Sequence, residues 1–255
     1  MSKSLGHVHV IGMGEVGRRL AAALTGAGVE VSPVTRDAGW PEALRDPGAQ
    51  LLVCVREEAL ASVLARLESV VPERVVLVQN GWIRPLLGRF GAATRGLIWF
   101  TSKGEFFRVL RPSVLAGPVA EPLAEALTRG RIAAEVVTDA TLAGAEAEKM
   151  GFNCVVGLPL AVHGLSLGGY LTQRCEEADA LFAESVAVPA RVLGASVSSS
   201  WWPTFLTVAG PLDGVRVTAA KALEFRNGAV LRLAREHGLA VPVTERLLAA
   251  TGFSL

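Results

Sequence analysis

Three observations predict an α/β protein with an N-terminal doubly wound sheet and an all-helical C-terminal part. Short apolar runs of strand type alternate with helical periodicity up to Val137. From about Asp139 onward the pattern is helical alone. Between the first strand and the first helix lies Gly12-Met13-Gly14-Glu15-Val16-Gly17, a G-x-G-x-x-G loop in the strand–turn–helix setting that marks a Rossmann-type unit. The expected domains are 1–138, binding a dinucleotide, and 139–255, carrying the substrate site.

The first strand runs through Val8, Val10 and Ile11, and the glycines after it act through their missing side chains. Gly12 permits the tight turn, Gly14 lets the backbone approach a pyrophosphate, and Gly17 lets helix and strand pack closely. Met13, Glu15 and Val16 complete the loop, so the helix N-terminus faces the phosphate charge. Helical spacing continues from Arg18 to Leu24 until Gly26 and Gly28 stop it. The second strand, 29–35, delivers Arg36 about 20 residues beyond the glycines, where such a unit reads the ribose. A guanidinium there pairs with a 2′-phosphate through a bidentate contact, which favours NADP over NAD. If Arg36 is only a solvated arginine, Asp37 reads a free 2′-hydroxyl instead.

Further along, residues 41–48 read as a polar connection and 50–55 as a buried parallel strand. Arg56 follows at the carboxyl end of that strand, where open α/β sheets bind their ligands. Residues 57–71 read as a helix ending at Pro72, and 75–78 as a strand delivering the polar turn Gln79-Asn80-Gly81 to the same side. Strands at 97–100 and 113–118, a helix at 121–129 and a short strand within 132–137 complete the sheet.

In the second part, a helix capped by Asp139 or Thr141 runs past Phe152. Residues 151–173 lack Asp, Glu, Lys and Arg, and are long enough to span a membrane. They also hold Asn153, Pro159, His163 and five glycines, which favours a buried helix broken near its glycines. An amphipathic helix is expected within 171–193, a polar loop at 196–202, a helix at 221–237 stopped by Gly238, and a short helix after Pro242.

The 255 residues are 51% hydrophobic and 19% charged, with a formal net charge of +1. That composition suits two globular domains and offers no electrostatic case for nucleic acid or an anionic membrane. Cys54, Cys154 and Cys175 lie in or beside apolar runs without a C-x-x-C pair, as expected of buried thiols in a reducing compartment. The first strand begins too near Met1 for a signal peptide, so a cytoplasmic protein is expected. His7, His9, His163 and His237 read as structural, and no Cys/His spacing suggests a metal.

Several of these features coincide with the ketopantoate reductase (2-dehydropantoate 2-reductase) family, which the chain resembles over nearly its whole length. The resemblance rests on the Gly12/Gly14/Gly17 loop, Arg36, Gln79-Asn80-Gly81, Lys149-Met150-Gly151-Phe152-Asn153-Cys154, Arg226-Asn227-Gly228 and Gly238-Leu239-Ala240-Val241-Pro242. It implies an NADPH-dependent reductase of a 2-oxo acid, acting in pantothenate biosynthesis if the substrate is ketopantoate itself. Reducing a ketone needs a proton donor for the alkoxide, and a partly desolvated lysine can fill that role. Lys149 is the candidate. Asn153, four residues on, shares its helix face and can orient the substrate or the ammonium. Asn80 matches the family's asparagine near nicotinamide and substrate. Arg56 stands where many members have a lysine near the cofactor, and Lys103 is a weaker addition to the same cleft.

The chain also departs from the family pattern. The carboxylate expected five residues before the Asn227-Gly228 pair is Ala222, and on a continuous helix Glu224 would face the opposite side. The family serine has four competitors, Ser199, Ser200, Thr204 and Thr207, beside Trp201 and Trp202. Gly157 replaces a second asparagine and Ile83 a glycine. An apolar, Trp-flanked pocket would suit a less hydroxylated oxo acid. The expected partners are therefore a small-molecule 2-oxo acid and, as an open possibility, a second copy of the chain in a homodimer. The competing reading is a catalytically inactive NADP(H)-binding regulatory or scaffold protein of the same fold.

Overall fold

The structure, a computed structural model, describes residues 5–253. Among the described residues two compact units emerge, one of residues 5–79 and 83–142, the other of 80–82 and 143–253.

The first unit follows the order β1 (His7–Ile11), α1 (Glu15–Gly26), β2 (Glu30–Val34), α2 (Trp40–Arg45), β3 (Gln50–Val53), α3 (Glu57–Arg66), β4 (Val75–Leu77), α4 (Arg84–Leu87), β5 (Thr94–Leu97), β6 (Phe100–Lys103), β7 (Phe106–Val109), β8 (Ser113–Ala116), α5 (Ala120–Arg129) and β9 (Ala134–Val136). Seven of these strands form one sheet in the order β2-β1-β3-β4-β5-β8-β9, parallel except where β8 runs against β5. The strand order reverses at β1, between β2 and β3, and that switch point is where a doubly wound sheet opens its ligand crevice.

Side-chain alternation explains the layering. Val8 and Val10 point to one face, where with Leu52 and Val76 they pack against Leu20 and Leu24 of α1 and Leu123 and Leu127 of α5. Each such side chain, nearly inaccessible, contributes about 1.5–3 kcal/mol of burial. His9 and Ile11 point the other way.

Some elements differ from the sequence expectation. Residues 41–48 begin as the tail of α2, whose first turn accepts Pro41 because its missing N–H has no helical partner there. Helix α3 stops at Arg66 rather than Val71, since Pro72 holds Val71 extended at φ −67° and ψ 133°. The aromatic run expected as one strand at 97–100 is divided between β5 and the separate β6–β7 hairpin.

The second unit is helical: α6 (Asp139–Val155) from Ala143 onward, α7 (Leu158–His163), α8 (Leu167–Gln173), α9 (Cys175–Leu193), α10 (Trp201–Ala209), α11 (Asn227–His237) and α12 (Pro242–Ala249). The uncharged stretch 151–173 is indeed broken, falling in α6, α7 and α8. Among the described residues no helix is long and apolar enough to cross a membrane. Gly151 permits close packing of α6 on α9, because a Cβ there would lie 2.5 Å from Val186. The tryptophans are not loop residues. They start α10, where Trp201 and Trp202 stack around Phe182 and Phe205 at ring separations of 5.0–5.8 Å. Helix α11 begins at Asn227, six residues later than expected, after a tight turn at Leu223–Phe225.

Candidate functional site

The first unit builds its site at the carboxyl ends of β1, β2 and β3. Gly12 sits at φ +95°, and a Cβ on it would meet Val55 at 2.9 Å. A Cβ on Gly17 would lie 2.0 Å from the Gly12 carbonyl oxygen, so any side chain there pushes the loop off the helix. Gly14 is different: a Cβ on it would meet nothing within 4 Å, leaving open space before the first turn of α1. No side chain caps that turn. Its N–H groups and the helix dipole are therefore directed at an anion position, in the cradle that a pyrophosphate requires. Met13, Glu15 and Val16 complete it; the Glu15 carboxylate is engaged by Ser102 at 3.1 Å and Arg18 at 3.5 Å.

Beside the cradle lies a cavity of about 260 Å³ bounded by Ile11, Gly12, Arg36 and Val55, and by Trp40 and Arg66. Trp40 is held by a hydrogen bond from its indole N–H to the Thr35 carbonyl at 2.8 Å, and the Arg66 guanidinium stacks 3.7 Å from its ring centre. Arg36 is exposed at the rim. The residues present thus fit a dinucleotide: glycines for the pyrophosphate and an aromatic-lined slot for a purine, with Arg36 at its rim. Arg56 takes the N-cap position of α3, exposed and outside the cavity lining. The Lys103 side chain lies outside the described part.

Sequence reasoning missed Trp40 and Arg66. A signal existed for Arg66, because Ala59, Ser62, Val63 and Arg66 follow i, i+3, i+4, i+7 spacing and all line the cavity. Gln79 was expected to face a ligand but turns inward, its amide donating to the Val53 carbonyl at 2.7 Å. Buried Arg95 donates to the Leu77 carbonyl at 2.9 Å, so the ends of β3 and β4 are held by side chains.

The second unit gathers the other candidates. Lys149 and Asn153 lie one turn apart on α6, 5% and 8% exposed. The Lys149 ammonium is 5.1 Å from the centre of the Phe152 ring, whose edge meets Phe205. The side-chain nitrogens of Asn153 and Asn227 are buried with no protein acceptor. Two such unsatisfied amide donors cost about 1–3 kcal/mol each unless a bound group accepts from them. Arg226, next to Asn227, reaches the electrostatic neighbourhood of Cys154: burial pushes that thiol up to about 12, with Ser185 and Arg226 opposing it.

Asn80 belongs to this unit because its turn is fastened there. The Trp82 N–H donates to the Phe225 carbonyl at 2.6 Å, and Gly81, at φ +72°, would place a Cβ 2.5 Å from the same oxygen. Only a glycine allows that approach.

Three expectations are corrected here. Ala222 is not on a helix but in left-handed conformation at φ 51°, so the helix-face argument about Glu224 does not apply; Glu224 is exposed. The hydroxyl candidates are all exposed, and those of Thr204 and Thr207 are bonded back to the carbonyls of Ser200, which caps α10, and of Pro203. Cys175 is exposed, unlike Cys154.

No protein-family model matches the sequence, and no curated protein matches it significantly. Solved structures do. A ketopantoate reductase of the PanE/ApbA family from Ralstonia eutropha JMP134 is similar with a TM-score of 0.75 at 18% identity, covering 95% of this chain and 96% of its own. D-mandelate dehydrogenase in complex with NADH gives 0.74 at 15% identity, covering 96% and 97%. A dimeric ketopantoate reductase from Staphylococcus aureus gives 0.71 at 17% identity, covering 95% and 96%. At these identities the likeness establishes the fold: the chain has the architecture of ketopantoate reductases, a Rossmann-type sheet followed by a helical part.

Proposed function

We propose that the protein is an NADPH-dependent reductase of a 2-oxo acid, with ketopantoate or a close relative as substrate. The observation that carries this reading is the buried pair on α6, Lys149 with Asn153, whose amide nitrogen lacks an acceptor, in a chain that also holds a glycine cradle and an arginine-rimmed cavity. The dinucleotide, when bound, supplies the hydride. Gly12, Met13, Gly14, Glu15, Val16 and Gly17 hold its pyrophosphate, and Arg36, with Arg56 as a weaker neighbour, meets the ribose end. Lys149 gives its Nζ proton to the alkoxide oxygen that forms as the carbonyl is reduced, and Asn153 and Asn80 orient the carbonyl and the ammonium.

The substrate departs from the family pattern because no carboxylate stands at Ala222. An oxo acid with fewer hydroxyls than ketopantoate fits that loss. The proposed domains are 1–138 and 139–255, the proposed setting is the cytoplasm, and the assembly to test for is a homodimer like the Staphylococcus aureus enzyme.

The deciding experiment is NADPH oxidation by the purified protein against a panel of 2-oxo acids that includes ketopantoate and less hydroxylated analogues. The expected result is turnover of at least one oxo acid, with NADPH preferred over NADH. Tight NADPH binding without turnover of any panel member would favour an inactive binding protein of the same fold.

A further inference from the structure

At the amino-terminal edge of the sheet, away from the glycine loop, three side chains converge that the sequence keeps apart. His7 and His9 project from the same face of β1, two residues apart. Asp46, in the connection between α2 and β3, places Oδ2 2.9 Å from His7 Nδ1 and 3.7 Å from His9 Nε2. One ligand atom from each residue lies within 4.8 Å of the others. Ligand atoms around a tetrahedral zinc ion, at bond lengths of about 2.0–2.1 Å, are separated by about 3.3 Å. The two observed separations bracket that value.

A second feature points to a ligand. His9 is 2% exposed, and neither of its ring nitrogens has a hydrogen-bond partner. A buried imidazole with its lone pair unengaged is costly unless something accepts that lone pair. The surroundings complete the arrangement. Without an ion, His7 Nδ1 donates to Asp46 Oδ2 at 2.9 Å; a cation bound between them would displace that proton, and His7 Nε2, 3.0 Å from Ser32 Oγ, would keep the outer-shell hydrogen bond that orients a metal-bound histidine. Asp46 Oδ1 accepts from the backbone of Gly48 at 3.0 Å and Ala49 at 3.2 Å, which orients Oδ2. Arg74 is the opposing charge nearby, but its guanidinium is engaged by the carbonyls of Ala43, Asp46 and Ala49.

We infer that His7, His9 and Asp46 form a binding site for a divalent transition-metal cation of zinc type. Two imidazoles and one carboxylate suit such an ion, and the His7 and Asp46 side chains, 21% and 36% exposed, leave a fourth position open to water. The site clips β1 to the α2–β3 connection. Its place, about 10 Å along β1 from Gly12, makes it a structural site rather than part of the dinucleotide cradle.

The test is zinc titration of the chelator-stripped full-length protein by calorimetry, followed by thermal unfolding with and without zinc, and by cobalt absorption as a probe of geometry. The wild-type protein should bind one zinc per chain and unfold at higher temperature when loaded. Asp46→Asn, which keeps the Oδ1 acceptor, and His9→Leu, which removes the orphaned ring, should each weaken binding by about tenfold or more and abolish the thermal shift. His9→Leu should be at least as stable as the stripped wild type. Absence of zinc binding by the wild type would overturn the inference. So would equal zinc affinity in Asp46→Asn and wild type, since the ion would then sit elsewhere, for example at exposed Cys175.

Discussion

Arg36 and Cys175 show what a single position can decide. On the proposed reading Arg36 contributes a bidentate, charge-assisted contact to a 2′-phosphate, a contact of about 1.5–3 kcal/mol. Arg36→Ala should therefore weaken NADPH binding by about 10- to 100-fold and leave NADH nearly unchanged, as read by quenching of protein fluorescence. Equal losses for both cofactors would assign Arg36 no role in telling them apart. The cysteines differ by burial. Cys175 is exposed while Cys154 is buried with its thiol pushed up to about 12, so a thiol reagent should label Cys175 in the native protein and Cys154 only on unfolding. At this scale the glycine loop was legible because its chemistry lies in absent side chains at fixed spacing. The convergence of Asp46 on His7 and His9 was not, because 37 residues separate Asp46 from His9 and only the pairing of β1 with β3 brings them together.

The elements that position the candidate residues are fixed by a few close approaches. Gly81 is the clearest, since its positive φ and its contact with the Phe225 carbonyl hold the Asn80 turn. Gly81→Ala should destabilise the protein by more than about 1–2 kcal/mol, from the left-handed backbone alone, and urea denaturation will show it. An unchanged midpoint would mean that the turn is free to relax. Most helices and strands were legible from their periodicity, including the breaks within 151–173. The β6–β7 hairpin was not, because Thr101, Ser102 and Lys103 interrupt the apolar pattern and the strands pair with each other outside the main sheet. The start of α11 was misplaced for a similar reason. Ala222 and the Leu223–Phe225 turn have a helix-like composition, and only the bonding of Trp82 to Phe225 shows that the backbone serves another purpose.

For the molecule as a whole, the change from alternating strands and helices to helices alone divides the chain near residue 139 in sequence, and the compact units divide near 142, with 80–82 joining the later part. That short excursion was invisible to periodicity because it is set by a tertiary contact. In the helical unit, Glu177 accepts from Arg246 at 2.8 Å and pairs with His163 at 2.6 Å, linking α9, α12 and α7. Burial raises the Glu177 carboxyl, but the hydrogen bonds from Arg246 and His163 outweigh it and hold the group below its ordinary value of 4.5. A carboxyl lowered on folding stabilises the folded state above its unfolded value, and that stability disappears as pH falls through the folded value. Acid unfolding should thus steepen below about pH 4.5, and Glu177→Gln should flatten that part of the profile, as followed by circular dichroism. An identical acid profile in the variant would remove Glu177 from the account.

The central claim is that Lys149 donates the proton in a reduction driven by NADPH. The most direct measurement is the single-turnover rate of NADPH oxidation at saturating oxo acid, compared between wild type and Lys149→Ala, with NADPH affinity measured on the same samples. The account predicts a fall of about 10²–10⁴-fold in the rate with NADPH affinity unchanged. A variant that turns over at the wild-type rate would contradict it.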